Sequence, residues 1–393
     1  MVIKNTFYLV FSGFIGGLGM LLLASGKFFD IDAALVSATI VFIAWQALGV
    51  TISKMGADQI IFATGIGNDR TIDIRPVVAT KIVPAAAAFL LVSLTKYPIL
   101  TAVLLFVSIV LDCVAILLQA KLNADLKVKK ILVASLLNYP AFLVLLYGAT
   151  LAGNVDFLTM VACFCVSSLM RFAYLVWIFR ASFAGGAHYV RIEGSLTLGL
   201  YQGINYWIFR AGKIAAGLGI YAAHQDSVSK FIFFWTAIEL IDRFNLSVTP
   251  IVYRRMVAGD ARSNGIVIGA MSLALATLFL PFYWFSGAFL GMKLSWTYGA
   301  ALTLNAMLLF LPNYQIFRAT RAGDYAALVV AGVASCSLSG AMFAVMALRG
   351  DPLLALLLYA PSQMLLLSLF TVLFQAWPAR SRSYDKSVAT ESV

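Results

Sequence analysis

Charged residues are scarce in this sequence, and their scarcity excludes an ordinary water-soluble domain. They make up 11% of the 393 residues, whereas hydrophobic residues make up 62%. A soluble globular domain carries about 25% charged residues. The apolar runs are about 20 residues long, enough to cross roughly 30 Å of hydrocarbon as a helix, whereas membrane-barrel strands are shorter and alternate. The sequence therefore predicts an all-α polytopic membrane protein.

The sequence also has few of the residues that metal sites and catalytic centres use. Its two histidines, His188 and His224, have no cysteine or carboxylate at metal-ligand spacing. The segment "GIGNDR" at 65–70 lacks the strand–helix context of a phosphate-binding loop and predicts a turn. We therefore predict a protein that is not an enzyme and uses no metal or cofactor. The four cysteines lie within apolar runs and are predicted to be free thiols: Cys113, Cys163, Cys165 and Cys336.

Hydropathy predicts about twelve membrane spans. In order they cover residues 6–25, 31–53, 76–95, 98–120, 130–152, 156–179, 195–221, 229–252, 264–286, 294–317, 325–348 and 352–376. A polar, glycine-containing segment at the middle of the chain favours two six-helix bundles around a central cavity, a plan common among transporters. Prolines within or near the spans, among them Pro84 and Pro140, are expected to kink them.

Domain boundaries follow from this plan. We predict an N-terminal bundle over 1–182, a cytoplasmic connector over 183–194, a C-terminal bundle over 195–378 and a disordered cytoplasmic tail over 379–393. The connector sequence "HYVRIEGS" is interpreted as an amphipathic linker that lies at the membrane surface.

Basic residues are distributed unequally between the two sides of these spans. With a cytoplasmic N-terminus, 18 of the 28 basic residues fall on the cytoplasmic side, 5 on the opposite side and 5 within spans. The positive-inside rule therefore places both termini in the cytoplasm. The net charge of +11 is explained by topology and needs no nucleic-acid partner, although the loop "KLNADLKVKK" could also contact anionic lipids.

Eight ionisable residues lie within predicted spans at more than two positions from either end. Each costs about 2.5–3.5 kcal/mol near the middle of a bilayer, so most must face a protein interior or an aqueous cavity. Lys81, near the cytoplasmic start of span 3, is placed to reach the interface by snorkelling. The eight residues are Lys81, Asp112, Arg171, Arg210, Lys213, Glu239, Asp242 and Arg243.

Spans 7 and 8 hold the densest group of these charges. Each span carries them on one helical stripe, and counting from the short loop "AAHQDSVSK" places the two sets at about the same depth. We therefore expect the two stripes to meet. The stripe of span 7 contains Gly203, Tyr206, Arg210, Lys213 and Gly217, and that of span 8 contains Trp235, Glu239, Asp242, Arg243 and Leu246.

Two interpretations of these charges stay open at this point. In the first they pair structurally, Glu239 with Arg243 and Asp242 with Lys213. In the second they bind an anionic ligand, because five basic and three acidic residues within spans leave two positive charges in excess. Arginine suits phosphate, which its planar fork of donors can bind through two hydrogen bonds. The neighbouring aromatic residues could pack against sugar rings or serve as ordinary packing: Tyr206, Trp207 and Trp235.

The sequence resembles a known family in several segments. In bacterial polysaccharide flippases of the multidrug/oligosaccharidyl-lipid/polysaccharide exporter superfamily, the seventh helix has a basic residue about ten positions before a "GxY" sequence. Here these are Arg210 and "GIY" at 219–221. The eighth helix ends with a proline followed by basic residues, here Pro250, Arg254 and Arg255, and "FIAWQALGVTISKMGADQ" is similar to the second helix. The charged residue usual in the first two helices is absent, and Gln46 is their only strongly polar mid-span residue.

This resemblance implies a specific activity. Such flippases move undecaprenyl-diphosphate-linked oligosaccharides from the inner to the outer leaflet of the bacterial cytoplasmic membrane, by alternating access and with H⁺ or Na⁺ as coupling ion. The implied partners are this substrate, membrane lipids and other proteins of lipopolysaccharide or exopolysaccharide assembly.

The candidate roles combine the resemblance with the charge pattern. Arg210 and Lys213 are the candidates for binding the diphosphate. Their expected helpers in substrate binding are Arg171, Arg243, Tyr206 and Trp235. The acidic candidates, which would orient the cations or carry the coupling ion, are Glu239, Asp242 and Asp112.

Three other functions are alternatives. A drug exporter of the same superfamily would favour an acidic cavity, and a carrier of small anions would have a denser Gly/Asp/Arg signature between spans 2 and 3. A polymerase of the same lipid-linked repeats would need a large outer loop with catalytic basic residues. The flippase fits the excess of basic residues better than these three.

Overall fold

The structure is a computed structural model that describes most of the N-terminal half and parts of the C-terminal half. The described residues are 31–54, 56–58, 61–62, 71–153, 155–184, 189–191, 295–308, 325–348 and 350–376, with the single residues 8, 11, 12, 15, 23, 218, 277 and 284. Except for the single residues 218, 277 and 284, predicted spans 7, 8 and 9 lie outside this set.

Helices dominate the described residues and follow the predicted spans. Seven helical stretches among them are long and apolar enough to cross a membrane. The helices are α1 (Ala33–Lys54), α2 (Arg75–Ser93), α3 (Ile99–Ala124), α4 (Val128–Leu136), α5 (Tyr139–Leu151), α6 (Phe157–Ala184), α7 (Trp296–Leu308), α8 (Tyr325–Leu348) and α9 (Pro352–Ala376). They confirm the predicted spans 2–6, 11 and 12 to within a few residues at most ends, and α7 covers part of span 10.

Two spans are irregular near prolines. Helix α2 has α-helical pieces at Arg75–Val77 and Val83–Ser93, joined by a π-helical turn at Val78–Ile82 that contains Lys81. Predicted span 5 is divided into α4 and α5, and Pro140 lies in the first turn of α5. Proline is tolerated there because the first N–H groups of a helix have no intrahelical acceptor. The expected distortions near Pro84 and Pro140 are thus present.

Aspartates begin three of the helices. The carboxylate of Asp32 accepts a hydrogen bond from the Ala34 N–H at 3.0 Å in α1. Asp156 accepts one from the Thr159 N–H at 2.7 Å in α6, and Asp351 accepts one from the Leu354 N–H at 2.9 Å in α9. Each aspartate satisfies an N–H that the helix itself leaves without an acceptor. In the predicted topology all three lie on the outer side.

Helix α3 is central to the packing of the N-terminal half. It contacts α1, α2 and α6, and α5 also packs against α6. Fully buried aromatic rings join these helices: Phe164 of α6 lies edge-on to Phe42 of α1 and Phe142 of α5, with centroid separations of 6.3 and 5.7 Å. In the C-terminal half, α7 and α8 both pack against α9. The core of the N-terminal half therefore joins helices that are far apart in sequence, such as α1 and α6.

Two short strands lie among the described residues, one before α2 and one after α6. Strand β1 (Thr71–Asp73) precedes α2, and strand β2 (Tyr189–Arg191) follows α6. They pair in parallel, with Thr71 opposite Tyr189, Ile72 opposite Val190 and Asp73 opposite Arg191. The expectation that the connector is an amphipathic linker at the membrane surface stays a prediction. Within the connector, Tyr189–Arg191 form a strand whose backbone pairs with another segment of the protein.

Candidate functional site

A buried polar cluster lies between α1, α3 and α6. At its centre is Asp112 of α3, which is 6% exposed. The Gln46 side-chain amide donates a hydrogen bond to Asp112 Oδ2 at 2.7 Å, and the Ser168 hydroxyl donates one to the same oxygen at 3.2 Å. Arg171 Nη1 lies 3.5 Å from the other oxygen, Oδ1. Both carboxylate oxygens of Asp112 therefore have donors in a region without solvent.

Arg171 has a second and shorter contact. Its Nη2 donates a hydrogen bond to Gln119 Oε1 at 2.6 Å. Arg171 is 8% exposed, so its guanidinium depends on protein acceptors rather than on water. A charge in such an environment must be compensated, since desolvation of an ion costs several kcal/mol. The carboxylate of Asp112 and the amide of Gln119 provide that compensation.

Helical spacing explains how five side chains meet. Asp112 and Gln119 are seven residues apart on α3, and Ser168 and Arg171 are three apart on α6, so each pair lies on one face of its helix. Helices α3 and α6 pack against each other, and α1 contacts both. Gln46 projects from α1 into the same interface. The cluster is thus a property of the packing of three helices.

The cluster can act as a switch of charge. With Asp112 ionised and Arg171 cationic, the pair is neutral. When a proton or another cation binds the carboxylate, the cluster becomes positive, and Gln119 is a neutral acceptor for Arg171. Polar networks of this kind in membrane interiors are typical of ion relays and of helix–helix attachment.

Lys54 and Asp58 form a second buried contact at the end of α1. Lys54 Nζ lies 2.6 Å from Asp58 Oδ2, and the side chains are 3% and 15% exposed. Lys54 directly follows predicted span 2 and is one of the 18 basic residues assigned to the cytoplasmic side. The structure instead buries its ammonium group, because a carboxylate one helical turn later can neutralise it.

The structure brings two of the predicted site residues together. Asp112 and Arg171 are in contact, whereas the sequence had given them separate roles in coupling and in substrate binding. Those roles stay predictions. The other candidates lie outside the described residues: Tyr206, Arg210, Lys213, Trp235, Glu239, Asp242 and Arg243.

Two members of the cluster, Gln119 and Ser168, were missed in the sequence analysis. A signal was present, since each lies on the same helical face as a charged residue that had been identified. Gln119 lies two turns from Asp112, and Ser168 lies one turn from Arg171. Gln46 had been identified as unusual in its span, but its contact with α3 could not be derived from the spacing within α1.

Comparison with known proteins identifies the fold. The chain superposes on the eukaryotic MATE transporter AtDTX14 with a TM-score of 0.65 and 12% identity, over 96% of each chain. It also matches an outward-facing multidrug resistance MATE family transporter of the MOP superfamily, with a TM-score of 0.61 and 13% identity over 95% of each chain. The chain has the fold of the MATE transporters. A Vibrio cholerae MATE transporter, VcmN, gives a TM-score of 0.55 at 12% identity, over 95% of this chain and 96% of that one.

The MATE fold consists of two six-helix bundles, which agrees with the predicted architecture. Comparison of the sequence with protein-family models and with curated proteins gives no match. The similarity to the MATE transporters is therefore a similarity of fold.

Proposed function

We propose that this protein is a flippase that moves undecaprenyl-diphosphate-linked oligosaccharide from the inner to the outer leaflet by alternating access of its two bundles. The fold of a MOP-superfamily transporter supports transport rather than an enzymatic reaction. The resemblance of predicted spans 2, 7 and 8 to polysaccharide flippases supports the substrate. The membrane is then the bacterial cytoplasmic membrane, with both termini in the cytoplasm.

The observation that carries this proposal is the charge balance within the spans. Of five basic and three acidic intramembrane residues, one of each is accounted for by the contact between Arg171 and Asp112. The pair is neutral, so the excess of two positive charges is unchanged and falls on Lys81 and the charges of predicted spans 7 and 8. A diphosphate is a suitable counter-charge for Arg210 and Lys213. Arg243, Tyr206 and Trp235 would complete the substrate site around them.

The buried cluster of the N-terminal half is the proposed site of ion coupling. Asp112 would exchange a proton or Na⁺ during the cycle, while Gln46 and Ser168 hold its carboxylate in place. Arg171 would then stabilise the empty, ionised state rather than contact substrate directly. Glu239 and Asp242 would orient the cations of spans 7 and 8 or take part in coupling.

A leaflet assay with an arginine variant tests the proposal. In cells without the protein, lipid-linked oligosaccharide should accumulate on the cytoplasmic leaflet, and the wild-type gene should reverse this. Arg210→Ala should not reverse the accumulation, although the variant is present at the normal protein level. Its transport should be at least about tenfold slower than that of the wild type, because a charge-assisted contact with phosphate is lost. Lys129→Ala, at an exposed position in the first turn of α4, is the control and should behave as wild type. Full activity of Arg210→Ala would exclude Arg210 from the site.

A drug exporter is the second candidate. It is favoured by the solved structures that share this fold, one of which is a multidrug resistance transporter. Cells that express this protein should then survive higher concentrations of cationic drugs, and the cytoplasmic leaflet should show no accumulation of lipid-linked oligosaccharide when the gene is removed. The two outcomes separate the candidates.

A further inference from the structure

The pairing of β1 with β2 attaches the connector to the N-terminal half. Both strands come from this half: β1 leads directly into α2, and β2 follows α6. Helices α2 and α6 each pack against α3. The two strands are therefore carried by one group of packed helices, and a rocking motion between the two bundles does not require them to separate.

Strand β1 is held firmly to the start of α2. Asp73 Oδ1 accepts hydrogen bonds from the Arg75 N–H at 3.0 Å and from Arg75 Nε at 2.9 Å, and Oδ2 accepts one from Nη2 at 3.0 Å. Ile74, between them, is 5% exposed and belongs to the core. An isolated pair of short strands is only marginally stable in water. Here β1 is a fixed template, which reduces the entropy lost when β2 pairs with it.

The pairing changes the length of chain that joins the two halves. Without it, the link would run from the end of α6 at Ala184 to the predicted start of span 7 at residue 195, which is about 37 Å when fully extended. With it, only the stretch from Arg191 to residue 195 is free, with a reach of about 14 Å.

We propose that the β1–β2 pair is a permanent clamp that shortens this tether and so limits how far the two bundles separate on the cytoplasmic side. This proposal rests on the alternating access of the proposed function but not on the identity of the substrate. The clamp sets the width of the inward-facing opening, and the connector upstream of β2 does not contribute to that width.

Two matched insertions test the proposal. Gly-Ser-Gly-Ser is inserted after Arg191, downstream of the clamp, or after Gly185, upstream of it. Spin labels at Arg180→Cys and Leu373→Cys, both exposed and near the predicted cytoplasmic ends of α6 and α9, report the separation of the halves. The four native cysteines are replaced by alanine. Distances are measured by pulsed electron resonance in lipid nanodiscs without substrate.

The downstream insertion should extend the longest distances, by up to about 14 Å for four added residues. The upstream insertion should give the same distances as the protein without an insertion. The added residues then lie between α6 and β2, and they do not lengthen the chain between β2 and span 7. Equal widening by both insertions, or no widening by either, would overturn the proposal. Amide hydrogen exchange of the unmodified protein should also show protection over Thr71–Asp73 and Tyr189–Arg191, and rapid exchange at both segments would overturn the pairing itself.

These measurements do not depend on the proposed substrate. If the leaflet assay fails while the downstream insertion alone widens the opening, the flippase proposal falls and the clamp stands. If the distances respond equally to both insertions while Arg210→Ala blocks transport, the clamp falls and the flippase proposal stands.

Discussion

At the scale of single residues, the Asp112 carboxylate shows how this protein keeps charges in a membrane interior. Its donors come from two different helices: Gln46 from α1, and Ser168 and Arg171 from α6. Arg171 in turn reaches back to Gln119 on α3. Because every one of these contacts crosses between helices, the cluster fixes the relative position of α1, α3 and α6 as well as neutralising a charge.

Removal of one charge of this pair should be costly. Arg171→Gln leaves a buried carboxylate without its counter-charge, and we expect a loss of about 3–5 kcal/mol in the free energy of unfolding. The double variant Arg171→Gln, Asp112→Asn should lose clearly less than the sum of the two single variants, because no charge then remains. Denaturant unfolding in detergent gives the four values of the cycle. Arg180→Gln, exposed on the same helix, is the control, and additive losses would contradict the pairing.

Gly49 of α1 lies where α2 and α3 pack so closely that there is no room for a Cβ atom. A Cβ there would collide with Ile109 Cδ1 of α3 and would lie 3.0 Å from two ring carbons of Phe89 of α2. Gly49→Ala should therefore destabilise the fold by about 1–3 kcal/mol, the usual cost of overpacking. Gly148→Ala in α5 is the matched control, since a Cβ there meets nothing within 4 Å. Thermal unfolding of both variants should show a loss only for Gly49→Ala.

At the scale of elements, hydropathy predicted the positions of the helices but did not predict the two strands. The ends of α8 at Tyr325 and Leu348 coincide with the predicted span, because apolar composition and chain length alone determine a membrane helix. The pairing of β1 with β2 could not be derived in the same way. Three-residue strands have no recognisable pattern, and their partner lies in a distant part of the sequence. The Asp112–Arg171 contact was missed for a related reason, since hydropathy gives depth but not which helices are neighbours.

The first turn of α6 should respond to pH through its capping aspartate. Hydrogen bonds from Thr159 hold the pKa of the Asp156 carboxyl below its ordinary value, so folding favours the ionised form. The stabilisation is present above the unfolded pKa of about 3.9 and is lost as pH falls through the lower folded value. Asp156→Asn retains a capping oxygen but cannot titrate. Its thermal stability should fall less than that of the wild type between pH 5 and pH 3, and identical losses would contradict this role.

At the scale of the whole molecule, the sequence predicts the two faces of the membrane by the distribution of charge. The basic residues of the loops predict sidedness, and the three capping aspartates fall on the side with few basic residues. Asp32, Asp156 and Asp351 begin helices on the predicted outer side, whereas most lysines and arginines lie at the other ends. The proposed direction of transport depends on this orientation.

Orientation can be measured by labelling of cysteines in intact cells. Lys96, after α2, and Lys129, in α4, are both exposed and lie on opposite predicted sides. With the native cysteines replaced, Lys96→Cys should react with a membrane-impermeant maleimide from outside, whereas Lys129→Cys should react only after permeabilisation. The unequal distribution of basic residues is the physical reason, since positively charged loops are retained in the cytoplasm. The reverse pattern would invert the topology, and the proposed cytoplasmic position of the β1–β2 clamp would then be wrong as well.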